Sequence, residues 1–254
     1  MINLTAIYVL WLREMKRFLR AKSRIIGTLA MPFFFLAFLG LGFGNMNIPG
    51  MAKGISYINF LVPGIVGMTM LFTSMFAGIS VLWDREFGFL KEIMVAPVNR
   101  ISIVIGRIVG GATTSVLQGC LILGISILMG FKISRMSAFL LSVVFMLLIS
   151  STFIGLGLIF ASKMRDIHGF SLIMNFVIFP IFFLSGALYP LKNLPVWIQY
   201  LSYLDPLTYG VDGLRGVLIN VSSFSILFDF AVLVGFSIVM IFLGAYFFEK
   251  SESV

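Results

Sequence analysis

The fold is decided by apolar runs such as residues 136–162, which read MSAFLLSVVFMLLISSTFIGLGLIFAS and carry no charged side chain. In hydrocarbon every backbone N–H and C=O must find an internal partner, so a run of about 20 apolar residues indicates a membrane-spanning helix. A membrane β-strand is about 10 residues long and alternates polar with apolar side chains, and this run does neither. It therefore predicts a transmembrane helix.

The rest of the chain has the same character. Of its 254 residues, 60% are hydrophobic and 11% are charged, and the mean hydropathy is +1.09. A water-soluble domain of this length could not bury so much apolar surface. We predict an all-α integral membrane protein, a single transmembrane domain over residues 1–254 with six spans. The predicted spans are residues 25–43, 58–83, 101–129, 136–162, 169–188 and 224–248.

Several residues inside these spans have structural meaning. Pro32, Pro63 and Pro180 are predicted to kink their helices. Gly106 and Gly110 form a small-x-x-x-small pair, which favours close packing of a neighbouring helix.

Two further residues in the apolar runs have ordinary explanations. The only cysteine, Cys120, excludes an intrachain disulfide and is expected to be a small buried hydrophobic residue. Asp229 lies early in the sixth run, where a position at the membrane interface is favoured over one deep in hydrocarbon.

The N-terminal residues 1–24 are predicted to form an amphipathic helix that lies at the membrane interface. Basic side chains on one side and a tryptophan on the other are typical of helices that lie flat on anionic headgroups. The alternative is a solvated helix that packs on a neighbour. The apolar side holds Leu4, Ile7, Tyr8, Trp11, Met15 and Phe18, and the basic side holds Arg13, Lys16, Arg17, Arg20 and Arg24.

The positive charge predicts the orientation. The net charge is +8, and the positive residues lie beside apolar runs rather than on a soluble face that could bind nucleic acid. With the N-terminus inside, thirteen of the eighteen Lys and Arg residues fall on the cytoplasmic side. Because Lys and Arg accumulate in cytoplasmic loops, both termini are predicted to be cytoplasmic in a multi-pass protein of the cell membrane.

The cytoplasmic segment 84–97, DREFGFLKEIMVAP, mixes charges with large apolar residues at helical spacing. A short surface helix with an apolar ridge fits the groove of a partner protein. The alternative is an ordinary charged loop.

The outer segment 179–215 is apolar, but Pro and Gly break it into pieces too short to span. It predicts helices over residues 189–222 that enter the outer leaflet and return, with aromatic residues at the interface. A plain extracellular loop is the alternative. Asp212 and Arg215, three residues apart, could pair on one such helix.

The stretches DREFGFLKEIMVAPVNRISIVIGRIVGG and FPIFFLSGALYPLKNLPVWIQYLSYLDPLTYGVDGLRG resemble ABC type-2 exporter permeases. The resemblance covers essentially the whole chain and is nearest the drug-resistance (daunorubicin-type) and the polysaccharide or lipid export branches. It implies that residues 84–98 are a coupling helix that docks in a separate ATP-binding subunit. The docking residues would be Asp84, Arg85, Glu86, Gly88, Leu90, Lys91, Glu92, Ile93 and Pro97.

The resemblance also assigns the other two segments. The N-terminal helix would contribute Trp11, Arg13, Lys16, Arg17 and Arg20 near the same subunit. The outer helices would close the exit, and their gate residues would be Pro190, Pro195, Trp197, Pro206, Tyr209, Asp212 and Arg215.

The implied function is the permease subunit of an ATP-driven exporter for a drug, a lipid or a glycan-lipid. Two permease subunits, identical or different, would assemble with two ATP-binding subunits, which bind ATP and Mg²⁺. This chain lacks a phosphate-binding loop, a catalytic set and, with His168 as its only histidine, a metal site. The alternatives are an ATP-independent channel or ion-coupled carrier, which needs polar groups along the spans, and an intramembrane enzyme.

Overall fold

The computed structural model describes residues 3–43, 55–88, 98, 100–164 and 166–251, and their regular structure is entirely helical. Local sequence accounts for several helix starts, because Asn3, Asp166 and Asp205 each accept a hydrogen bond from a backbone N–H of the first turn. The helices are α1 Leu4–Arg20, α2 Lys22–Gly42, α3 Tyr57–Ala77, α4 Ile79–Glu86, α5 Arg100–Leu128, α6 Met136–Lys163, α7 Ile167–Leu184, α8 Val196–Leu204, α9 Pro206–Ile219 and α10 Ile226–Ser251, with a 3-10 turn at Leu191–Asn193.

Six helical stretches are long and apolar enough to cross a membrane, which confirms the predicted number. They are α2, the continuous pair α3–α4, α5, α6, α7 and α10. The predicted ends agree to within a few residues except for the fifth span. That helix ends at Leu184, short of residue 188, because Gly186 has a φ of +69° and turns the chain.

Helix α3 forms the centre of the bundle. It is buried along most of its length and contacts α2, α5, α6, α7 and α9. Helices α2, α7 and α10 instead present large apolar side chains on the outside, among them Phe38, Phe176 and Phe242. Such a surface suits lipid or another membrane helix and would be a liability in water.

Helix α1 packs along the first half of α5. The approach is close because a Cβ atom at Gly106 would lie 3.0 Å from Cβ of Leu10, and one at Gly110 would lie 2.9 Å from Cγ of Glu14. Trp11 supports the contact by donating its Nε1–H to Thr113 Oγ1 over 3.2 Å. The predicted close packing at the glycine pair is thus present, and its partner is the N-terminal helix.

The segment between the last two spans contains helices rather than a plain loop. Helix α9 has 14 residues, or about 21 Å at 1.5 Å per residue, which is too short to cross a hydrocarbon core of about 30 Å. It is buried from Leu207 to Leu218 against α3, α6 and α10. Helix α8 differs, because it exposes Trp197, Tyr200 and Leu204.

Candidate functional site

A buried charged cluster joins the N-terminal helix to the ends of two spans. Asp84, at the end of α4, accepts hydrogen bonds from both terminal nitrogens of Arg13 on α1 and, at 2.8 Å, from Nη2 of Arg107 on α5. The side chains of Asp84 and Arg107 are each only 4% exposed. A carboxylate between two guanidinium groups is the arrangement in which buried charges are tolerated, since each charge has a partner.

Neighbouring residues extend this cluster. Arg17 pairs with Glu14 at 2.7 Å, and its guanidinium lies 5.8 Å from the centre of the Trp83 ring. Arg107 lies 6.0 Å from the Phe248 ring near the end of α10. The hydrogen bonds to Asp84 raise the pKa of Arg13 above its ordinary value. The cluster therefore connects four helices at one end of the bundle.

The structure describes the predicted docking residues only as far as Gly88. Asp84 does not face outward as a docking residue should, because its carboxylate is used inside the bundle. Arg85 donates from Nη1 to the carbonyl oxygen of Met164 over 3.2 Å. Glu86 is exposed, and the chain leaves α4 through Gly88, whose φ is +75°. Leu90, Lys91, Glu92, Ile93 and Pro97 lie outside the described residues.

One basic residue of the N-terminal helix, Arg13, lies differently from the prediction. The bundle-facing side of the helix holds Leu10 and the Glu14–Arg17 pair, and Arg13, which was assigned to the basic side, reaches in to Asp84. Leu4 and Tyr8, assigned to the apolar side, are 76% and 57% exposed, as side chains that face lipid would also be. Arg13 turns inward because its partner, Asp84, lies at the buried end of α4. A basic surface groove remains between Arg13, Lys16, Arg17 and Arg20, with Val9, Leu12 and Ala21.

The outer segment has its own set of buried charges. Asp212 accepts backbone N–H bonds from Ser223 at 2.8 and 2.9 Å and from Phe224 at 2.9 Å. Arg215 donates to the carbonyl oxygens of Gly186 at 3.1 Å and Phe60 at 3.4 Å. The predicted pairing of Asp212 with Arg215 is therefore wrong. Each charge instead holds a loop or a neighbouring helix end against α9.

Burial shifts the pKa values of two of these groups. Desolvation lowers the pKa of Arg215 to about 10, although the nearby Asp212 carboxylate acts in the opposite direction. Desolvation also raises the pKa of Asp205 well above its usual value, while the hydrogen bond from Leu207 N–H acts to lower it.

Three of the seven predicted gate residues line a cavity of about 270 Å³. These are Pro190, Asp212 and Arg215. Pro206 is the first residue of α9, and Tyr209 donates its hydroxyl hydrogen to the carbonyl oxygen of Tyr203 over 2.8 Å. Pro195 and Trp197 lie apart at the start of the exposed helix α8.

The structure shows one ion pair that the sequence did not predict and one residue, predicted at the membrane interface, that is more buried than expected. The ion pair joins Asp84 to Arg107, although an arginine eight residues inside an apolar helix was its signal. The residue is Asp229: it lies in the first turn of α10, but its side chain is fully buried and neither carboxylate oxygen has a hydrogen-bond partner in the described part of the chain. Among those residues no group of three or more His, Cys, Asp or Glu side chains could hold a metal ion.

Comparison with known proteins supplies a family for this architecture. Residues 5–219 match the family described as ABC-2 type transporter. The chain is 30% identical over 239 residues to the inner membrane transport permease YadH of Escherichia coli (strain K12), covering 91% of this chain and 90% of that protein. It is 28% identical over 205 residues to the putative transport permease ycf38 of Porphyra purpurea, covering 79% of this chain and 69% of that protein. With nodulation protein J of Rhizobium leguminosarum bv. viciae it shares 27% identity over 202 residues, covering 79% and 76%.

Proposed function

Because the chain belongs to the ABC-2 type transporter family, we propose that it is the permease subunit of an ATP-driven exporter. In this proposal two permease chains assemble with two ATP-binding subunits, which bind ATP and Mg²⁺, in the cell membrane. The substrate is amphipathic or lipid-like, as a drug, a lipid or a glycan-lipid would be.

The observation that carries the proposal is the anchoring on both sides of the segment 87–99. Asp84 and Arg85, just before it, bond to α1, α5 and the end of α6, while Arg107, on the helix that follows it, bonds to the same Asp84. A displacement of this segment by a partner therefore acts on several spans at once rather than on one loop. Such a shared joint between packed helices is what a two-state transporter needs to transmit closure of its ATP-binding subunits.

The sides of the membrane follow from this assignment. The charged cluster and segment 87–99 would be cytoplasmic, together with both termini, as the excess of Lys and Arg there predicts. Helices α8 and α9 would then be the outer re-entrant pair. Exposed Trp197 and Tyr200 on α8 support an interfacial position, and the burial of α9 supports its entry into the bundle.

Three buried hydroxyl groups in the spans count against an ion-coupled carrier, whereas the buried carboxylate of Asp229 is a group that such a carrier could use. The hydroxyl groups of Thr69, Ser126 and Ser162 each donate to the carbonyl oxygen four residues earlier in their own helix. Groups satisfied in this way do not offer an ion a chain of ligands.

The test is co-purification with a candidate ATP-binding subunit from the same organism, followed by measurement of ATP hydrolysis. Alanine at Glu86, Leu90 or Ile93 is expected to weaken complex formation and stimulated hydrolysis, and alanine at Lys192, on the opposite side of the bundle, is the control. Unchanged complex formation and hydrolysis in all three variants would contradict the docking role.

A further inference from the structure

A small polar cavity lies inside the bundle beside the charged cluster. It measures about 60 Å³ and lies between α1, α2, α3–α4 and α5. Eight of its twelve lining residues are polar, in a chain that is 60% hydrophobic. The hydroxyl groups of Thr73, Ser80 and Thr114 donate to carbonyl oxygens of their own helices, so they do not need an occupant. The need for one comes from the buried groups that have no partner.

The size of the cavity restricts that occupant. A site for a drug-sized molecule measures about 300–1,000 Å³, which is several times larger than the 60 Å³ here. A few waters or one small polar group would fill it, since a single water needs about 10–15 Å³. Only the headgroup of an amphipathic molecule would enter, with its apolar part left outside.

The walls offer hydrogen-bond donors that have no acceptor. Arg107 donates from Nη2 to Asp84 and from Nη1 to Ser80 Oγ at 3.4 Å, but its buried Nε–H has no partner among the described residues. The carbonyl oxygen of Gln118 accepts from Thr28 Oγ1 at 2.7 Å, and within the described residues its amide hydrogens bond to nothing. The carboxylate of Glu14 is occupied by Arg17. A guanidinium N–H beside an amide donor favours an oxyanion.

An approach to the cavity begins at the basic groove on α1. Arg17 lines both the groove and the cavity, so the Arg17–Glu14 pair separates the two. Arg13, Lys16 and Arg20 surround the groove and would attract an anionic headgroup at the membrane surface. An incoming oxyanion could accept from Nη1 of Arg17, because both bonds to Glu14 come from Nη2 and Glu14 would keep its partner.

We propose that this cavity binds the phosphate group of an anionic amphipathic substrate, held by Arg107 and Gln118 and admitted by Arg17. The proposal rests on the proposed export function and gives the substrate a chemical class: a lipid-like molecule with a phosphate headgroup. Free phosphate shares this chemistry, and the experiment separates the two sources.

The test uses the purified full chain in detergent and follows its thermal unfolding midpoint during ligand titration. Dioctanoyl phosphatidic acid is expected to raise the midpoint, because a ligand that binds only the folded state stabilises it. Dioctanoylglycerol, which lacks the phosphate, and sodium phosphate at matched ionic strength are expected to raise it far less.

Two variants address the cavity and one addresses the groove. Gln118→Leu removes a donor at nearly constant size and is expected to weaken phosphatidic acid binding about tenfold, the effect of one lost hydrogen bond to a charged group. Thr114→Leu fills the cavity, provides a second test if Gln118→Leu does not fold, and is expected to abolish the shift. Lys16→Gln, in the groove, removes only a surface attraction and is expected to weaken binding by about twofold, much less than either cavity variant.

The proposal is overturned if dioctanoylglycerol stabilises the chain as well as phosphatidic acid does, or if both cavity variants bind like the unchanged chain. Equal loss in Lys16→Gln would show surface attraction instead of a cavity. Equal stabilisation by sodium phosphate would overturn the assignment to a lipid-like substrate. None of these results bears on docking of the ATP-binding subunit, because the binding assay contains this chain alone.

Discussion

At the residue scale, Asp84 determines how the charged end of the bundle is built. It is a single carboxylate with two arginine partners, Arg13 from α1 and Arg107 from α5. A buried ion pair adds little net stability compared with an apolar replacement, but removal of one partner leaves uncompensated charge and is expensive. Asp84 therefore matters chiefly because its loss would leave the buried Arg107 guanidinium without its carboxylate partner.

Substitution of Asp84 by alanine is expected to destabilise the protein by about 3–5 kcal/mol, since it strands the buried Arg107 guanidinium. The measurement is the thermal unfolding midpoint in detergent. Glu86→Ala is the matched control. It also removes one carboxylate, two residues from Asp84, but from a side chain that is exposed. That control should lie within about 0.5 kcal/mol of the unchanged protein. Equal effects of the two substitutions would show that Asp84 is not a structural anchor.

The buried Asp205 is expected to make the folded protein less stable as the pH rises, the opposite of the usual effect of an aspartate. Burial raises its pKa in the folded state, so the folded protein holds this proton more tightly than the unfolded chain. Its contribution to stability is complete below the unfolded pKa of about 3.9 and is lost as pH rises through the folded value.

Asp205→Asn is therefore expected to reduce the loss of stability with rising pH while it retains the cap on α9. Asp205→Ala should lose the cap as well, at a cost of about 1 kcal/mol. Unfolding midpoints recorded across this pH range check both results. An unchanged pH profile in Asp205→Asn would assign the dependence to other groups.

At the element scale, the N-terminal helix is part of the bundle and not merely an attachment to a surface. Its amphipathic pattern predicted a helix, but the pattern could not reveal which side faces protein, because an interfacial helix and a packed helix share it. The decisive contacts are long-range: Asp84 and Gly110 lie about 70 and 100 residues from their partners on α1. Hydropathy located the spans well because each span depends on its own residues alone.

Gly110→Leu is expected to displace α1, because even a Cβ atom there would lie 2.9 Å from Cγ of Glu14. Overpacking of this kind costs about 1–3 kcal/mol. Gly124→Leu on the same helix is the control, since nothing lies within 4 Å of a Cβ at that position. Limited proteolysis of the first 24 residues should be faster in Gly110→Leu and unchanged in Gly124→Leu. Similar rates in both would mean that α1 does not depend on this close contact.

The outer helices also contain contacts that could not be predicted from the sequence. Pro and Gly correctly predicted short helices between the last two spans, and Asp205-Pro206 marked the start of α9. The spacing of Asp212 and Arg215 suggested an ion pair within the helix. Both side chains instead satisfy backbone groups from distant segments, and such partners become apparent only in the folded bundle.

At the scale of the whole molecule, the proposed function requires the two charged regions to lie on opposite sides of the membrane. The cluster around Asp84 is assigned to the cytoplasm, and the turn around Lys192 to the outside. This orientation is the condition for both the docking proposal and the headgroup site.

Single cysteines in a Cys120→Ser background test the orientation. Positions 168 and 192 are both exposed on the protein surface, so only the side of the membrane should decide their labelling. A membrane-impermeant maleimide added to intact cells is expected to label Lys192→Cys and to leave His168→Cys unlabelled. Permeabilised cells should show labelling at both positions. Labelling of residue 168 in intact cells, without labelling of residue 192, would reverse the orientation.

The central claim, that this chain couples to an ATP-binding subunit through the charged end of its bundle, is tested most directly by cross-linking. The measurement is the yield of covalent adduct formed from Glu86→Cys with a short photoreactive thiol reagent in membranes that contain both proteins. We predict an adduct with the ATP-binding subunit from residue 86 and none from Lys192→Cys. Absence of the adduct at residue 86, or an equal yield from residue 192, would contradict the account.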